Sequence, residues 1–454
     1  MARIFSAVER LLDACLPTSE AIKRRILRGT FWSFIGAVFT RILNVATSIA
    51  MARLLGRTLF GELGMVNSTI AMATSFATFG FGLTATRYIA ERLTVSRPLA
   101  GDIACRLYAV SILFAALIAV LLSFASTWMA STVMAAPHLA GILRVSILAL
   151  FFIALNNIQQ GILSGFEAFK SLATVNGWGA AVSMAAMGAG AYWGQLEGVI
   201  WGNVVGTGIT ALLAHRAIHH EARRNDVPLT LHRAGKMGRV VWSYSFPTAV
   251  TGIIIVGTFW LGNAILANQP HGYGEMGLLN AAMQWRNAIL FLPYIVTQPY
   301  LPILSNLGGA ADQRHFRNVL GIDLAAAIAS SLLPALLVMI AAGWIISAYG
   351  ADFSAGRRVV IYVAAATALA GPCIALGQAV NARMNQWYNV FVIGGWALAF
   401  LLYVGSLRTI SAESVAIGHA LAYAVQLLLY GAVIWRLLRR SRVTTLSPLK
   451  TNMI

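Results

Sequence analysis

The chain has 454 residues, 58% of them hydrophobic and 11% charged, where soluble domains run near ~25% charged; an ordinary soluble globular protein is excluded. The formal charge of +18, from 33 Lys+Arg against 15 Asp+Glu, would point to nucleic acid in a soluble chain, but in a membrane protein cytoplasmic Lys and Arg account for most of it. Apolar runs of about 20 residues suit helices crossing a ~30 Å hydrocarbon core and exclude a β-barrel, whose strands alternate over about 10 residues.

Residues 1–28 read as a cytoplasmic amphipathic segment. Ile4, Phe5, Val8, Leu11, Leu12, Cys15 and Leu16 recur at helical spacing and lead into Lys23, Arg24 and Arg25, the pattern of a helix lying on an anionic leaflet. The segment lacks the apolar core and cleavage site of a signal peptide. About twelve spans are expected after it, at 30–52, 62–84, 104–126, 139–163, 172–193, 197–216, 243–266, 277–303, 322–347, 359–381, 388–407 and 413–435.

The first six spans fill a bundle over 29–216. A basic cytoplasmic linker covers 217–240, a second six-helix bundle covers 241–436, and 437–454 form a basic cytoplasmic tail. With both termini in the cytoplasm, Arg53, Arg57, Arg357, Arg358 and Arg408 fall outside and Arg41, Arg144 and Arg286 are embedded. Every other Lys and Arg is then cytoplasmic, as the positive-inside rule requires.

The segment Phe60 to Ile70 (FGELGMVNSTI) resembles Tyr273 to Met283 (YGEMGLLNAAM), with Gly61/Gly274, Glu62/Glu275, Gly64/Gly277 and Asn67/Asn280 matched. The offset is close to half the chain and pairs span 2 with span 8. Each half has six spans and returns to its starting side, so the repeats are parallel. That is a transporter architecture with its site between the halves near the midplane.

Arg41 and Arg286 interrupt apolar spans, one in each half. A central arginine costs about 2.5–3.5 kcal/mol on insertion scales and normally faces a wet or protein-lined cavity. Its planar fork donates parallel hydrogen bonds to phosphate and stays charged. Arg41, Asn44 and Ser48 form a stripe on span 1. Asn67, Thr74 and Thr78 share a face of span 2. Asn280, Gln284 and Asn287 share a face of span 8 beside Arg286, and Asn156 and Gln160 lie on span 4. Arg41, Arg286, Asn44, Asn67, Asn280, Gln284 and Asn287 are the candidate substrate-binding residues. Arg53 and Arg144 are candidate rim residues. Such polar stripes also serve as interhelical glue.

Glu62, Asp323 and Glu275 fall near span ends, which leaves no acid at mid-depth and disfavours a cation-coupled drug exporter. Pro247, Pro293, Pro299, Pro302, Pro334 and Pro372 lie in or near spans of the second half and permit kinks. Cys15, Cys105 and Cys373 are scattered without a CxxC, and His215, His219 and His220 sit in a basic loop. Neither set reads as a metal site. No nucleotide-binding or hydrolase motif is present, so the expectation is a non-enzyme without cofactor.

The stretches Ala52-Arg53-Leu54-Leu55-Gly56, Phe60-Gly61, Gly80-Phe81-Gly82-Leu83 and Arg87-Tyr88-Ile89-Ala90-Glu91 resemble the polysaccharide transporter branch of the multidrug/oligosaccharidyl-lipid/polysaccharide exporter superfamily. So do Gly161 to Phe166 with Lys170, Tyr273-Gly274, and Pro293 through Pro302-Ile303-Leu304-Ser305. The resemblance implies a V-shaped, all-α, twelve-helix exporter in the bacterial inner membrane. It implies a flippase for undecaprenyl-pyrophosphate-linked oligosaccharide, with a cavity lined by spans 1, 2, 7 and 8 and arginines meeting the pyrophosphate. Membrane lipids, a polysaccharide polymerase and glycosyltransferases would be partners, and nucleic acid would not. A peptidoglycan-precursor or drug exporter of the same superfamily, or a scaffold for polysaccharide assembly, is the alternative.

Overall fold

The computed structural model describes residues 20–93, 95–230, 238–306, 313–383 and 386–444. The expected amphipathic segment lies largely outside them, as do part of the linker and the end of the tail. The described residues form helices α1 (Glu20–Thr78), α2 (Phe81–Leu93), α3 (Arg97–Trp128), α4 (Leu139–Gly165), α5 (Phe169–Arg224), α6 (Gly238–Ala267) and α7 (Gly272–Thr297). They continue with α8 (Tyr300–Asn306), α9 (Gln313–Ile340), α10 (Ala342–Tyr349), α11 (Arg357–Arg383), α12 (Trp387–Ser406) and α13 (Ala412–Thr444). A π-helical turn at Met129–Val133 follows α3, and a 3-10 turn at Ala351–Gly356 precedes α11.

Two of these helices are each two spans. α1 has 59 residues, a contour of about 88 Å at 1.5 Å per residue, twice the ~40–45 Å of a whole bilayer. It breaks at Gly56, where φ is 74°, a left-handed value that glycine adopts without Cβ strain. α5 has 56 residues and breaks at Gly194 and Gln195. Its two arms fold back on each other so closely that a Cβ on Gly190 would strike the Gly198 carbonyl, and one on Gly198 the Gly190 carbonyl. Small residues give such close helix approach in membranes.

Nine stretches of described helix are long and apolar enough to cross a membrane. The second arms of α1 and α5 add two. α7 is the twelfth span, polar because it carries Glu275, Asn280, Gln284, Arg286 and Asn287. The first bundle is α1, α3, α4 and α5, with α2 packed on α3 and α4; the second is α6, α7, α9, α11, α12 and α13. The halves meet chiefly where α1 packs on α6 and α7, so expected spans 1, 2, 7 and 8 form the seam.

Several expected boundaries move. Span 2 ends at Thr78, not 84, because Phe79 and Gly80 take positive φ (37° and 73°) and a new helix starts at Phe81. The last helix of the first half continues to Arg224, beyond 216. Span 9 was expected at 322–347, but α9 runs from Gln313 to Ile340 and α10 begins at Ala342. The exposed Arg314 and Arg317 carry α9 outward through its polar start. Asp323 therefore lies ten residues into α9, and it is 0% exposed.

Candidate functional site

Arg41 lines a cavity of about 320 Å³, within the ~300–1,000 Å³ of small-ligand sites. The cavity lies between α1 and the start of α5 and is closed on a third side by Phe291 of α7. Gly36 allows the two helices to approach, since a Cβ there would press on Ala173. Thr40, Arg41, Asn44 and Asn176 supply the polar lining; Phe169, Leu172 and Phe291 supply the apolar walls.

No described residue hydrogen-bonds or ion-pairs with Arg41, and the buried Thr40 hydroxyl has no hydrogen-bond partner. A guanidinium with five donors and no counter-charge among the described residues, beside an unengaged hydroxyl and two amides, has the chemistry to accept an anion. Asn176 was absent from the sequence candidates. The signal was there: Phe169, Leu172, Ala173 and Asn176 are spaced i, i+3, i+4, i+7, one face of a helix.

Arg286 is placed differently. Its Nη2 donates to the Tyr423 hydroxyl at 2.8 Å, its Nη1 reaches Asn287 Oδ1 at 3.4 Å, and its Cζ lies 4.8 Å from the centroid of the Phe259 ring. Its Nε is buried without a partner. His419, 3% exposed, stacks on Phe400 at 4.3 Å and packs against Phe259 at 4.7 Å. Arg286 thus rests in an aromatic nest of the second bundle, formed by α6, α12 and α13, and is not among the residues lining the Arg41 cavity. Counted along their helices, the two arginines lie at similar distances from the Gly56 end of the seam. Arg41 precedes Gly56 by 15 residues and Arg286 follows Gly272 by 14, about 22 and 21 Å of helix from the same end.

The other candidates divide. Asn44 is exposed and lines the cavity. Asn67 and Asn287 are exposed on their helices, and Gln284 is half-buried. Asn280 sits against Gly64, where a Cβ would collide with its amide, and its Nδ2 points at the Phe60 carbonyl at 3.5 Å; it packs the seam. Arg144 donates to the hydroxyls of Ser126 and Thr127 on α3 at 3.3 and 3.0 Å, so it ties α4 to α3. Asn156 donates to the Thr207 carbonyl at 3.1 Å, also as an interhelical tie.

Arg53 and Arg57 close one end of the seam. Arg53 Nε donates to the Ala348 carbonyl at 2.6 Å, and Arg57 donates to the Gly274 carbonyl at 2.8 Å and to Glu275 Oε1 at 2.6 Å. Glu275 Oε2 accepts in turn from the Ala412 amide at 2.9 Å. The repeated motifs meet here face to face. A Cβ on Gly61 would strike the Tyr273 carbonyl, and one on Gly277 the Arg57 carbonyl. Asn268 and Tyr273 bond the Val133 and Met134 carbonyls of the first half at 2.7 and 2.6 Å. At the opposite end, the described ring contacts across the seam are Phe34 with Phe291 at 6.2 Å and Phe79 with Phe246 at 6.3 Å.

Residues 26–307 match the family described as "Polysaccharide biosynthesis protein". The EPS I polysaccharide export inner membrane protein EpsE of Ralstonia solanacearum is 24% identical over 199 residues, 42% of this chain and 44% of that protein. The EpsE of Ralstonia nicotianae is 24% identical over 196 residues, with the same coverage of each chain. The chain thus matches less than half the length of these relatives. Among solved structures, an inward-facing multidrug resistance MATE family transporter of the MOP superfamily shares the fold at a TM-score of 0.77 and 13% identity, over 90% of this chain and 96% of that one. The lipid II flippase MurJ in an inward closed conformation shares it at 0.70 and 15% identity, over 92% and 93%. A MOP superfamily transporter from Pyrococcus furiosus does so at 0.68 and 14%, over 92% and 96%. At such identities the likeness is one of fold.

Proposed function

The chain belongs to the polysaccharide biosynthesis protein family, and from that premise we propose that it is a flippase. It carries a polyprenyl-pyrophosphate-linked oligosaccharide, of the undecaprenyl type, from the inner to the outer leaflet of the bacterial inner membrane. The observation that carries the reading is the Arg41 cavity, with an unpaired guanidinium, a free hydroxyl and two amides in one chamber between α1 and α5. Pyrophosphate takes the guanidinium by charge-assisted hydrogen bonds, the amides of Asn44 and Asn176 face the proximal sugar, and the polyprenyl tail stays in lipid.

With both termini cytoplasmic, the end closed by Arg57 and Glu275 is periplasmic and the cavity is loaded from the cytoplasm. Release requires the seam to open at the Gly56 end and the halves to rock. Arg286 supplies a second guanidinium once Tyr423 lets it go. Polysaccharide polymerase and glycosyltransferases are the partners on either side of this step.

The test is flipping of a fluorescent short-chain polyprenyl-pyrophosphate disaccharide in proteoliposomes. Arg41→Ala is expected to abolish saturable flipping and Arg41→Lys to retain part of it. Equal rates for wild type and Arg41→Ala, with the variant correctly inserted, overturn the proposal.

A further inference from the structure

Arg144 stands on the outer surface of the first bundle, away from the Arg41 cavity. α4, which carries it, has 27 residues, about 40 Å of helix, the thickness of a bilayer with its headgroup layers. The loop before α4 is fixed at the Gly56 end, with Tyr273 on the Met134 carbonyl and His138 on Glu62. Arg144 follows Leu139 by five residues, about 7.5 Å along the helix. A headgroup layer is about 5–8 Å deep. The guanidinium is therefore level with the inner edge of the headgroups, where lipid phosphates lie.

Its neighbours face lipid. On α3, Leu113, Leu117, Leu121, Phe124 and Trp128 form a stripe in which every side chain is more than half exposed. On α4, the exposed Leu148 lies one turn inward from the exposed Arg144. Apolar surface of this extent marks a membrane-facing side. Arg144 reaches across between the two stripes. Its Nε donates to Ser126 Oγ at 3.3 Å and its Nη2 to Thr127 Oγ1 at 3.0 Å.

Both acceptors are neutral, and no carboxylate among the described residues pairs with Arg144, so the hydroxyls aim the fork and leave its charge uncompensated. Three of the five guanidinium N–H groups remain, and the exposed Thr127 hydroxyl keeps its own proton to donate. The second half repeats the feature: 213 residues separate Phe60 from Tyr273, and 213 separate Arg144 from Arg357. Arg357 is the exposed first residue of α11, which holds the place of α4 in the second bundle.

We propose that Arg144 and Thr127 form a binding site for the phosphate of an anionic glycerophospholipid, of the phosphatidylglycerol class, in the leaflet at the Gly56 end, with Arg357 as its counterpart in the second half. The acyl chains lie along Leu121, Phe124 and Leu148. Charge selects the headgroup: a zwitterionic lipid brings an ammonium that no carboxylate bonded at the site receives. The lipid bridges α3 and α4 and so braces the loop between them, whose Val133 and Met134 carbonyls take the bonds from Asn268 and Tyr273 of the second half. The inference does not depend on the cargo.

Native mass spectrometry of the full chain in detergent, titrated with dioleoyl phosphatidylglycerol or dioleoyl phosphatidylethanolamine, tests this alongside thermal melts. Wild type is expected to hold phosphatidylglycerol about fivefold more tightly. Arg144→Ala should weaken one bound phosphatidylglycerol about tenfold, and Arg144→Ala with Arg357→Ala should weaken two. Phosphatidylglycerol should raise the melting midpoint of wild type more than that of Arg144→Ala. A purely structural tie between α4 and α3 would instead lower the midpoint with and without lipid and leave the lipid-dependent rise intact, which overturns the proposal. Equal phosphatidylglycerol affinity in wild type and Arg144→Ala also overturns it, as does absence of a preference in wild type. Displacement of the lipid by inorganic phosphate, or by a short-chain polyprenyl pyrophosphate, assigns the site to a free anion or to the cargo and overturns it too. Thr127→Val keeps the charge and should weaken binding about threefold; it stands in if the alanine variant does not fold.

Discussion

Ring contacts cross the seam between the bundles at both ends, with Phe60 against Tyr349 and Phe353 at the Gly56 end, but only that end adds glycine packing and directional bonds. At the Gly56 end, backbone meets backbone through Gly61 and Gly277, and directional bonds join Arg53, Arg57 and Glu275 to carbonyls, a carboxylate and a helix-start amide. At the other end, aromatic rings about a contact apart face each other across the seam at Phe34–Phe291 and Phe79–Phe246. Ring contacts tolerate sliding, because dispersion is weak per atom pair and non-directional. Close glycine packing tolerates none, and the polar bonds exist only at one register. The molecule therefore has a definite closed state at one end and an adaptable mouth at the other. The proposed alternating-access cycle, loaded through the mouth, needs this asymmetry.

The largest expected effect comes from spoiling the glycine contact. Gly277→Leu drives a side chain into the Arg57 carbonyl. Overpacking of this kind costs about 1–3 kcal/mol, all of it charged to the closed state. Spin labels on the exposed Thr58 and Thr409, which flank the closed end, should report a longer and broader distance distribution, and transport should be lost. A distribution unchanged from the parent protein breaks the claim that this contact seals the seam. Gly277→Ala is expected to do the same to a smaller degree.

Arg41→Ala comes next. A charge-assisted hydrogen bond contributes about 1.5–3 kcal/mol, so binding of soluble pyrophosphate should weaken about 10- to 100-fold, with thermal stability unchanged because the guanidinium has no partner to lose. Isothermal titration checks it. Arg286→Ala is expected to behave otherwise. It abandons the Tyr423 hydroxyl and the face of Phe259, so stability drops as well as binding.

That contrast also marks how far the sequence could be read. The twelve spans and the repeat at Phe60 and Tyr273 were legible because hydropathy and glycine spacing are local properties. Arg41 was legible for the same reason: a charge within an apolar run has to be accommodated. Which neighbours answer that charge is a matter of tertiary packing. Arg286 looked like the twin of Arg41 by position, yet the rings of α6, α12 and α13 surround it, and nothing within span 8 encodes them. The start of α9 was placed too late because the polar Gln313–Asn318 turn hid it. Asn176 was overlooked because its stripe is mostly apolar.

A few-fold effect is expected from Glu275→Gln. The pair with Arg57 is about a quarter exposed on each side, so solvent screening limits its contribution to about 0.5–1 kcal/mol. A shift of that size raises the open population at the Gly56 end by about two- to fivefold. The same Thr58 and Thr409 labels should show a small second population that grows with salt in wild type and is salt-insensitive in the variant. Salt dependence that persists in Glu275→Gln assigns the electrostatics of closure elsewhere.

The smallest expected effect sharpens the comparison most. Tyr423→Phe removes one hydroxyl, 2.8 Å from Arg286 Nη2, and leaves the ring and its contacts with Trp396 and His419 in place. If Tyr423 holds Arg286 away from the substrate, the variant frees a second guanidinium. Pyrophosphate affinity should then rise about twofold, taking the low end, about 0.5 kcal/mol, of what one hydrogen bond contributes. In an Arg286→Ala background the gain should vanish. A loss of affinity in Tyr423→Phe means instead that the hydroxyl aims Arg286 at the anion, and that the aromatic nest belongs to the binding surface and not to its resting place.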